Sequence, residues 1–331
     1  MTPLRVLVCG GNYGRNYILA ALRRPRQYCL AGLLCRGSAL SREVARRYGL
    51  RLFLTPDEAP DDIGMACAAM GASGNEAVLR LLGRGISVLC EHPQRLEFVK
   101  TALDLAERGP ARFHLNGHFA KIKPVRALVA FCRRRQQDER PAFVDLTVND
   151  RSAYGALDTL ASAFGTLRPF AFERAAPGPL FDTISGEVAG TPAMVRVQRG
   201  GRALPDVSPG YLVDVRIAVG YASGVVSLLS LAGPVVWNAN YGRASAHAGE
   251  PLYRPIHLRS GMSAAGLQWH RTAANLHSMD ALARHMRGGP AREDQRPERM
   301  VEVAAAFEAL AEALRTAGGS PRDPDVRPMQ R

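Results

Sequence analysis

The chain has 331 residues, 47% of them hydrophobic, which is enough for two domains with separate cores. Its formal net charge of +13 is almost all arginine, since Lys100, Lys121 and Lys123 are the only lysines; with no nucleic-acid-binding motif beside it, the charge reads as a solvated arginine-rich surface or as attraction to an anionic partner. No apolar run approaches the roughly 18 residues of a membrane span, the N-terminus lacks a signal-peptide pattern, and the scattered cysteines form no C-x-x-C pair; they read as reduced core thiols of a cytoplasmic protein, and no zinc site is expected.

In chain order, Leu4 to Cys9 predicts a first strand, followed by a glycine turn and a helix from about Arg15 to Arg23. Tyr28 to Leu34 reads as a second strand. A helix from Ser41 to Tyr48 follows, with Gly49 as its stop. Leu52 to Leu54, Met65 to Ala69, Ile86 to Cys90 and Phe113 to Asn116 read as further strands, with helices at Gly74 to Gly83 and Leu96 to Arg108. This alternation predicts an α/β unit, a doubly wound parallel sheet over residues 1–121. Beyond it the pattern changes. A helix is expected from Pro124 to Arg135 and another from Ala153 to Phe164. Strands are expected at Ala142 to Asn149, Met194 to Gln198, Leu212 to Tyr221 and Val225 to Leu231. Residues 239–275 read as loops, and Met300 to Ala317 as a long amphipathic helix that packs back on the first domain. Residues 122–317 are therefore expected to form an α+β domain with an open, mostly antiparallel sheet, and residues 318–331 a disordered tail.

The chemistry gathers at strand ends. The first turn reads Gly10-Gly11-Asn12-Tyr13-Gly14 between a strand and a helix. Its glycines permit a tight turn and close backbone approach, and its amides at a helix N-terminus suit a pyrophosphate. After the second strand comes Cys35-Arg36-Gly37-Ser38, with no acid before Glu43. An acid there would hold the ribose 2′-hydroxyl of NAD. Arg36 and Ser38, helped by Arg42, instead suit a 2′-phosphate, so NADPH is the expected cofactor. The fourth strand ends in Met70-Gly71-Ala72-Ser73, small enough to let a nicotinamide lie close to the backbone. The fifth ends in Glu91-His92-Pro93, which puts a protonatable imidazole beside that cofactor.

These motifs, in this order, resemble the glucose–fructose oxidoreductase / inositol dehydrogenase family. The family's tripeptide is typically Glu-Lys-Pro, and here His92 stands in the Lys position. The family's second-domain motif usually carries an Asp with a His four residues later; Asp158 matches the first, but Ser162 stands at the second, which argues against polyol oxidation by the usual route. The departures resemble a narrower group, the thiazolinyl imide reductases of pyochelin- and yersiniabactin-type siderophore assembly. The resembling stretches are Arg5 to Gly14, Gly32 to Ser38, Glu91-His92-Pro93, Tyr154 with Leu157-Asp158, Gly233-Pro-Val-Val-Trp237 and Leu252-Tyr253-Arg254.

That resemblance implies hydride transfer from NADPH to the C=N carbon of a thiazoline, giving a thiazolidine. The substrate is then tethered to a carrier domain of a nonribosomal peptide synthetase. It implies His92 as proton donor, acting alone or with His118; where some members have Phe-Tyr after the sixth strand, this chain has His118-Phe119. Glu91 and His92 would border the cofactor. Tyr154, Trp237 and Tyr253 would meet the substrate, though the last two read equally as core or interface residues. A homodimer is expected by analogy, and no nucleic acid, membrane or metal is required. The alternatives are another oxidoreductase of this fold acting on a sugar or cyclic imine, and a non-catalytic NADP-binding regulator or scaffold.

Overall fold

Val6 to Cys9, Met65 to Ala68 and Ser87 to Cys90 are buried at every position, so these segments can only be interior strands covered on both faces. They form the centre of the first sheet in the computed structural model, which describes residues 2–199, 210–244, 251–258 and 262–315. The expected tail at 318–331 lies outside the described residues.

The chain divides into two compact units. The first takes residues up to His118 and, among the described residues, returns with 269–301. Its strands are β1 (Leu4–Cys9), β2 (Tyr28–Leu34), β3 (Leu52–Phe53), β4 (Met65–Ala68), β5 (Ser87–Cys90) and β6 (Phe113–Leu115). They form one parallel sheet in the order β3-β2-β1-β4-β5-β6, so the doubly wound fold read from the sequence is the fold present. The winding reverses between β1 and β4, and such a switch point opens a crevice at the carboxyl ends of the strands. The helices α1 (Arg15–Leu22), α2 (Ala39–Tyr48), α3 (Asn75–Gly83) and α4 (Leu96–Arg108) connect the strands. Ser38 caps α2, accepting a hydrogen bond from the Ser41 amide at 3.2 Å, and Gly49 ends it in the left-handed conformation.

The second unit takes residues 119–268 and continues from Glu302. It begins with α5 (Lys123–Arg135), β7 (Phe143–Asn149) and α6 (Ala153–Phe164). The strands β8 (Phe170–Ala176), β9 (Phe181–Val188), β10 (Thr191–Gln198), β11 (Val215–Tyr221), β12 (Gly224–Leu228) and β13 (Val235–Ala239) follow, then a short α7 (Tyr241–Ala244) and β14 (Tyr253–His257). The sheet order is β14-β13-β12-β11-β7-β10-β9-β8. Every pair is antiparallel except β7 with β10, so the sheet is mixed but mostly antiparallel, as expected. One face, with Val144, Leu146, Val195, Ile217 and Val219, is buried. The opposite face carries Phe143, Met194 and the Arg196–Asp145 ion pair.

Several elements depart from the sequence expectation. β8 and β9 lack a strong apolar alternation; where they pair, Gly186 permits a close backbone approach, since a Cβ there would lie 2.0 Å from the Ala171 carbonyl oxygen. Residues 239–275 are not all loop: β14 pairs with β13, and α8 (Ala264–Met286) begins inside that stretch. α8 is rich in small and polar residues, yet its Leu276, Met279, Leu282 and Ala283 enter the core of the first unit with Val6, Val8, Tyr17, Met65 and Leu89. The last helix, α9 (Pro297–Arg315), starts earlier than expected, at a proline suited to a first helical turn.

Candidate active site

The turn after β1 is built from three glycines, each placed by a steric demand. Gly10 has φ +97°, and a Cβ there would lie 2.4 Å from the Ala69 carbonyl oxygen at the end of β4. A Cβ on Gly11 would meet Ser41 Oγ at 2.7 Å, and one on Gly14 would meet Gly10 O at 2.0 Å. The turn is therefore folded tightly against β4 and α2, with Asn12 exposed and α1 opening directly behind it. That is the cradle a pyrophosphate requires.

At the tip of β2, Cys35 is buried and its amide donates to Phe53 O at 3.0 Å, so this residue offers backbone rather than thiol. Arg36 is exposed beside Gly37 (φ +72°). Arg42 donates to the Gly37 carbonyl, and Ser38 Oγ lies 2.9 Å from Ser41 Oγ, so both hold the loop that presents Arg36. After β4, Ser73 Oγ donates to Met70 O at 3.2 Å. Gly71 has φ +64° and open space within 4 Å of any added Cβ, with Ala72 exposed next to it. These residues line the strand ends where a dinucleotide would be held in such a fold.

Glu91, His92 and Pro93 leave the end of β5. The Glu91 amide donates to Ala68 O at 2.8 Å, and Gln94 Nε2 donates to Glu91 O at 3.0 Å, which fixes the backbone. The carboxylate is held by a buried polar network. Glu91 Oε1 accepts from the Tyr17 hydroxyl and, at 2.6 Å, from Asn116 Nδ2. Asn116 Nδ2 also lies 2.8 Å from Tyr17 Oη and 2.8 Å from Asn275 Oδ1, and Ser278 Oγ donates to Asn116 Oδ1 at 2.7 Å. The carboxylate only accepts, so it is the Glu91 bond that fixes the Nδ2 end of the Asn116 amide toward it. Burial, reinforced by Glu91, pushes the Tyr17 hydroxyl well above the usual phenol range, and the Tyr13 hydroxyl is raised for the same two reasons. Both phenols stay protonated.

His118 faces this carboxylate, its Nδ1 3.9 Å from Glu91 Oε2 and its Nε2 3.4 Å from the Tyr13 hydroxyl. The His92 and His118 rings stack, 5.4 Å apart and 16° from parallel. The two histidines named from the sequence are thus brought together, with Tyr13 and Glu91, at the carboxyl ends of β1, β5 and β6. Such a cluster can hold a proton and release it toward a group bound beside β5. Tyr17, Asn116, Asn275 and Ser278 were not singled out in the sequence. Asn116, at the end of the sixth strand, offered a positional signal; Asn275 and Ser278 offered none, because their stretch did not read as a helix.

The residues expected at the substrate lie in the second unit. Tyr154 is buried on α6, its ring 5.5 Å from Phe307. Phe119 is buried against Gly155, where an added Cβ would lie 2.5 Å from its ring. Asp158 and Ser162 are buried one turn apart on α6. Trp237 packs on Phe131 at 5.1 Å, under the Arg135 guanidinium at 4.9 Å. Tyr253 is half exposed on the outer strand β14. In register, Trp237 pairs with Arg254 and Tyr253 with Asn238, so Trp237 and Tyr253 point to opposite faces of the sheet. They do not line one aromatic wall.

Solved structures similar to the chain share its fold over nearly its whole length. GenD2 from gentamicin A biosynthesis, in complex with NAD, matches at 16% identity over 95% of each chain with a TM-score of 0.70. An oxidoreductase from Agrobacterium radiobacter, in complex with NAD+, L-tartaric acid and magnesium, matches at 14% identity over 96% of this chain and 98% of that one, with a TM-score of 0.71. Levoglucosan dehydrogenase, in complex with NADH and levoglucosan, matches at 16% identity over 94% and 97%, with a TM-score of 0.69. No curated protein matches the sequence. Residues 4–116 match the model of the family GFO_IDH_MocA, described as an oxidoreductase family with an NAD-binding Rossmann fold.

Proposed function

We propose that the chain is an NADPH-dependent reductase of a C=N bond, and that its substrate is a thiazoline held as a thioester on a carrier domain of a nonribosomal peptide synthetase. The single observation that carries this reading is the paired imidazoles of His92 and His118 beside Glu91, where the family resemblance leads one to expect a lysine. When bound, NADPH supplies a hydride to the C=N carbon. The chain's own residues answer the charge this creates. His92 gives its proton to the ring nitrogen as that nitrogen gains electron density, and solvent restores the proton afterwards. His118, oriented by Glu91 and Tyr13, stacks on His92 and fixes the plane of its ring. Arg36 takes the 2′-phosphate, and the Gly10–Gly14 turn takes the pyrophosphate.

A second reading, oxidation of a sugar, is favoured by the levoglucosan complex among the similar structures. Ser162, standing where the oxidising members carry a histidine, weighs against it. The test is NADPH consumption with a thiazoline thioester analogue. Turnover is expected, together with a loss of roughly a hundred- to ten-thousand-fold in His92→Asn with cofactor affinity kept. Reduction of NADP+ by free polyols without imine turnover would establish the sugar reading. Tight NADPH binding with no turnover of either class would make the chain a regulator. The exposed face of the second sheet, with Phe143 and Met194, is proposed to pair with a second copy. Met194→Glu should then yield monomers in sedimentation, and an unchanged mass distribution would count against that pairing.

A further inference from the structure

We propose that Glu91, His92 and His118 form a binding site for a divalent transition-metal cation of the zinc class. One ligand atom from each residue lies within 4.8 Å of the others, and Glu91 Oε2 is 3.9 Å from His118 Nδ1. In a tetrahedral zinc site the metal–ligand distances of about 2.0–2.2 Å set donor atoms roughly 3.4 Å apart. An imidazole binds a metal in its own ring plane, so closing this set on a cation requires the His92 ring to swing out of its stack on His118, while His118 keeps its place beside Glu91.

The donor set is one carboxylate and two imidazoles, which leaves a fourth position open and suits zinc or its neighbours. Calcium and magnesium prefer more oxygens than this cluster offers. The orienting bonds that metal ligands need are already present. Tyr17 and Asn116 occupy Glu91 Oε1, which turns Oε2 toward the histidines. The Tyr13 hydroxyl faces His118 Nε2, which leaves Nδ1 toward Glu91. Histidines distant in the chain hide this set from any search for ligand spacing, so the sequence predicted no metal.

The proposal does not depend on the reductase reading, because binding is measured without turnover. A cation on His92 would occupy the lone pair that carries the transferred proton, so metal binding and proton donation would exclude each other. The test uses the full chain stripped with a chelator. Zn2+ is titrated against a chromophoric chelator, and Co2+ against the ligand-field absorption of a tetrahedral site. One equivalent is expected, with affinity falling at least about tenfold in Glu91→Gln and in His118→Ala and unchanged in His257→Ala. Tyr13→Phe, which removes only the orienting hydroxyl, should weaken binding by a smaller factor. Zinc affinity unchanged in both Glu91→Gln and His118→Ala would overturn the site. So would the absence of tetrahedral Co2+ bands in the unmodified chain, a result that no folding defect of a variant could produce.

Discussion

Glu91 owes its orientation to side chains that arrive from three other parts of the chain. Tyr17 comes from α1, Asn116 from the end of β6, and Asn275 and Ser278 from α8. Consecutive residues such as Glu91-His92-Pro93 and Gly10 to Gly14 are legible in a sequence because one strand end delivers them together. A network assembled across the fold is not, because its members share no local pattern. His118 illustrates the boundary: the sequence places it after a strand, but only the structure shows its ring stacked on His92. Arg36 is legible for the opposite reason. Its position depends on one strand and one turn, and the structure leaves it exposed at that tip while Arg42 and Ser38 serve the loop. Arg36→Ala is accordingly expected to weaken NADPH binding by about tenfold or more, the order of a lost charge-assisted contact to phosphate, with NADH affinity unchanged. Fluorescence titration with both cofactors checks this, and equal losses for the two would remove the 2′-phosphate role.

Among the elements, the parallel sheet was legible because its central strands are short apolar runs separated by helices with clear stops. α8 was not, because its buried face is made largely of Ala, Ser, Asn and Thr, which carry little hydrophobic signal. Its attachment is partly polar. Asp280 accepts from the Tyr28 hydroxyl at 2.7 Å and from the Arg24 guanidinium at 3.0 Å, which ties the helix to the start of β2 and the turn before it. Burial, reinforced by Asp280, raises the Tyr28 phenol, so it remains a donor. Asp280→Ala removes both bonds and leaves the mostly buried Tyr28 hydroxyl without its acceptor. A loss of about 1.5–3 kcal/mol in urea denaturation is expected. Arg24→Ala should cost less than about 1 kcal/mol, since that ion pair is partly solvated. A larger loss from Arg24 than from Asp280 would show that the ion pair, not the tyrosine, holds α8.

At the scale of the whole molecule, the two units can be followed separately, because each contains one of the two tryptophans. Trp237 is buried in the second unit, and Trp269 lies half exposed in the first under the Arg23 guanidinium at 5.2 Å. The first unit also contains a direct imidazole pair, His114 Nε2 to His285 Nδ1 at 2.9 Å, joining β6 to the last turn of α8. That bond needs one ring to donate and the other to accept, so at least one must be neutral. Burial, with Arg112 nearby, lowers the His285 pKa below the ordinary imidazole value. The sign follows from proton counts. Between the lowered folded value and the unfolded value of about 6.5, the unfolded chain binds more protons than the folded one. Stability from this group is therefore full above about pH 6.5 and falls as pH drops below it. In a Trp237→Phe background, Trp269 fluorescence should report a urea midpoint for the first unit that declines from about pH 7 to pH 5. His285→Asn should flatten that decline, because asparagine does not titrate. A decline equally steep in His285→Asn would assign the acid sensitivity to other groups and leave the imidazole pair a purely geometric contact.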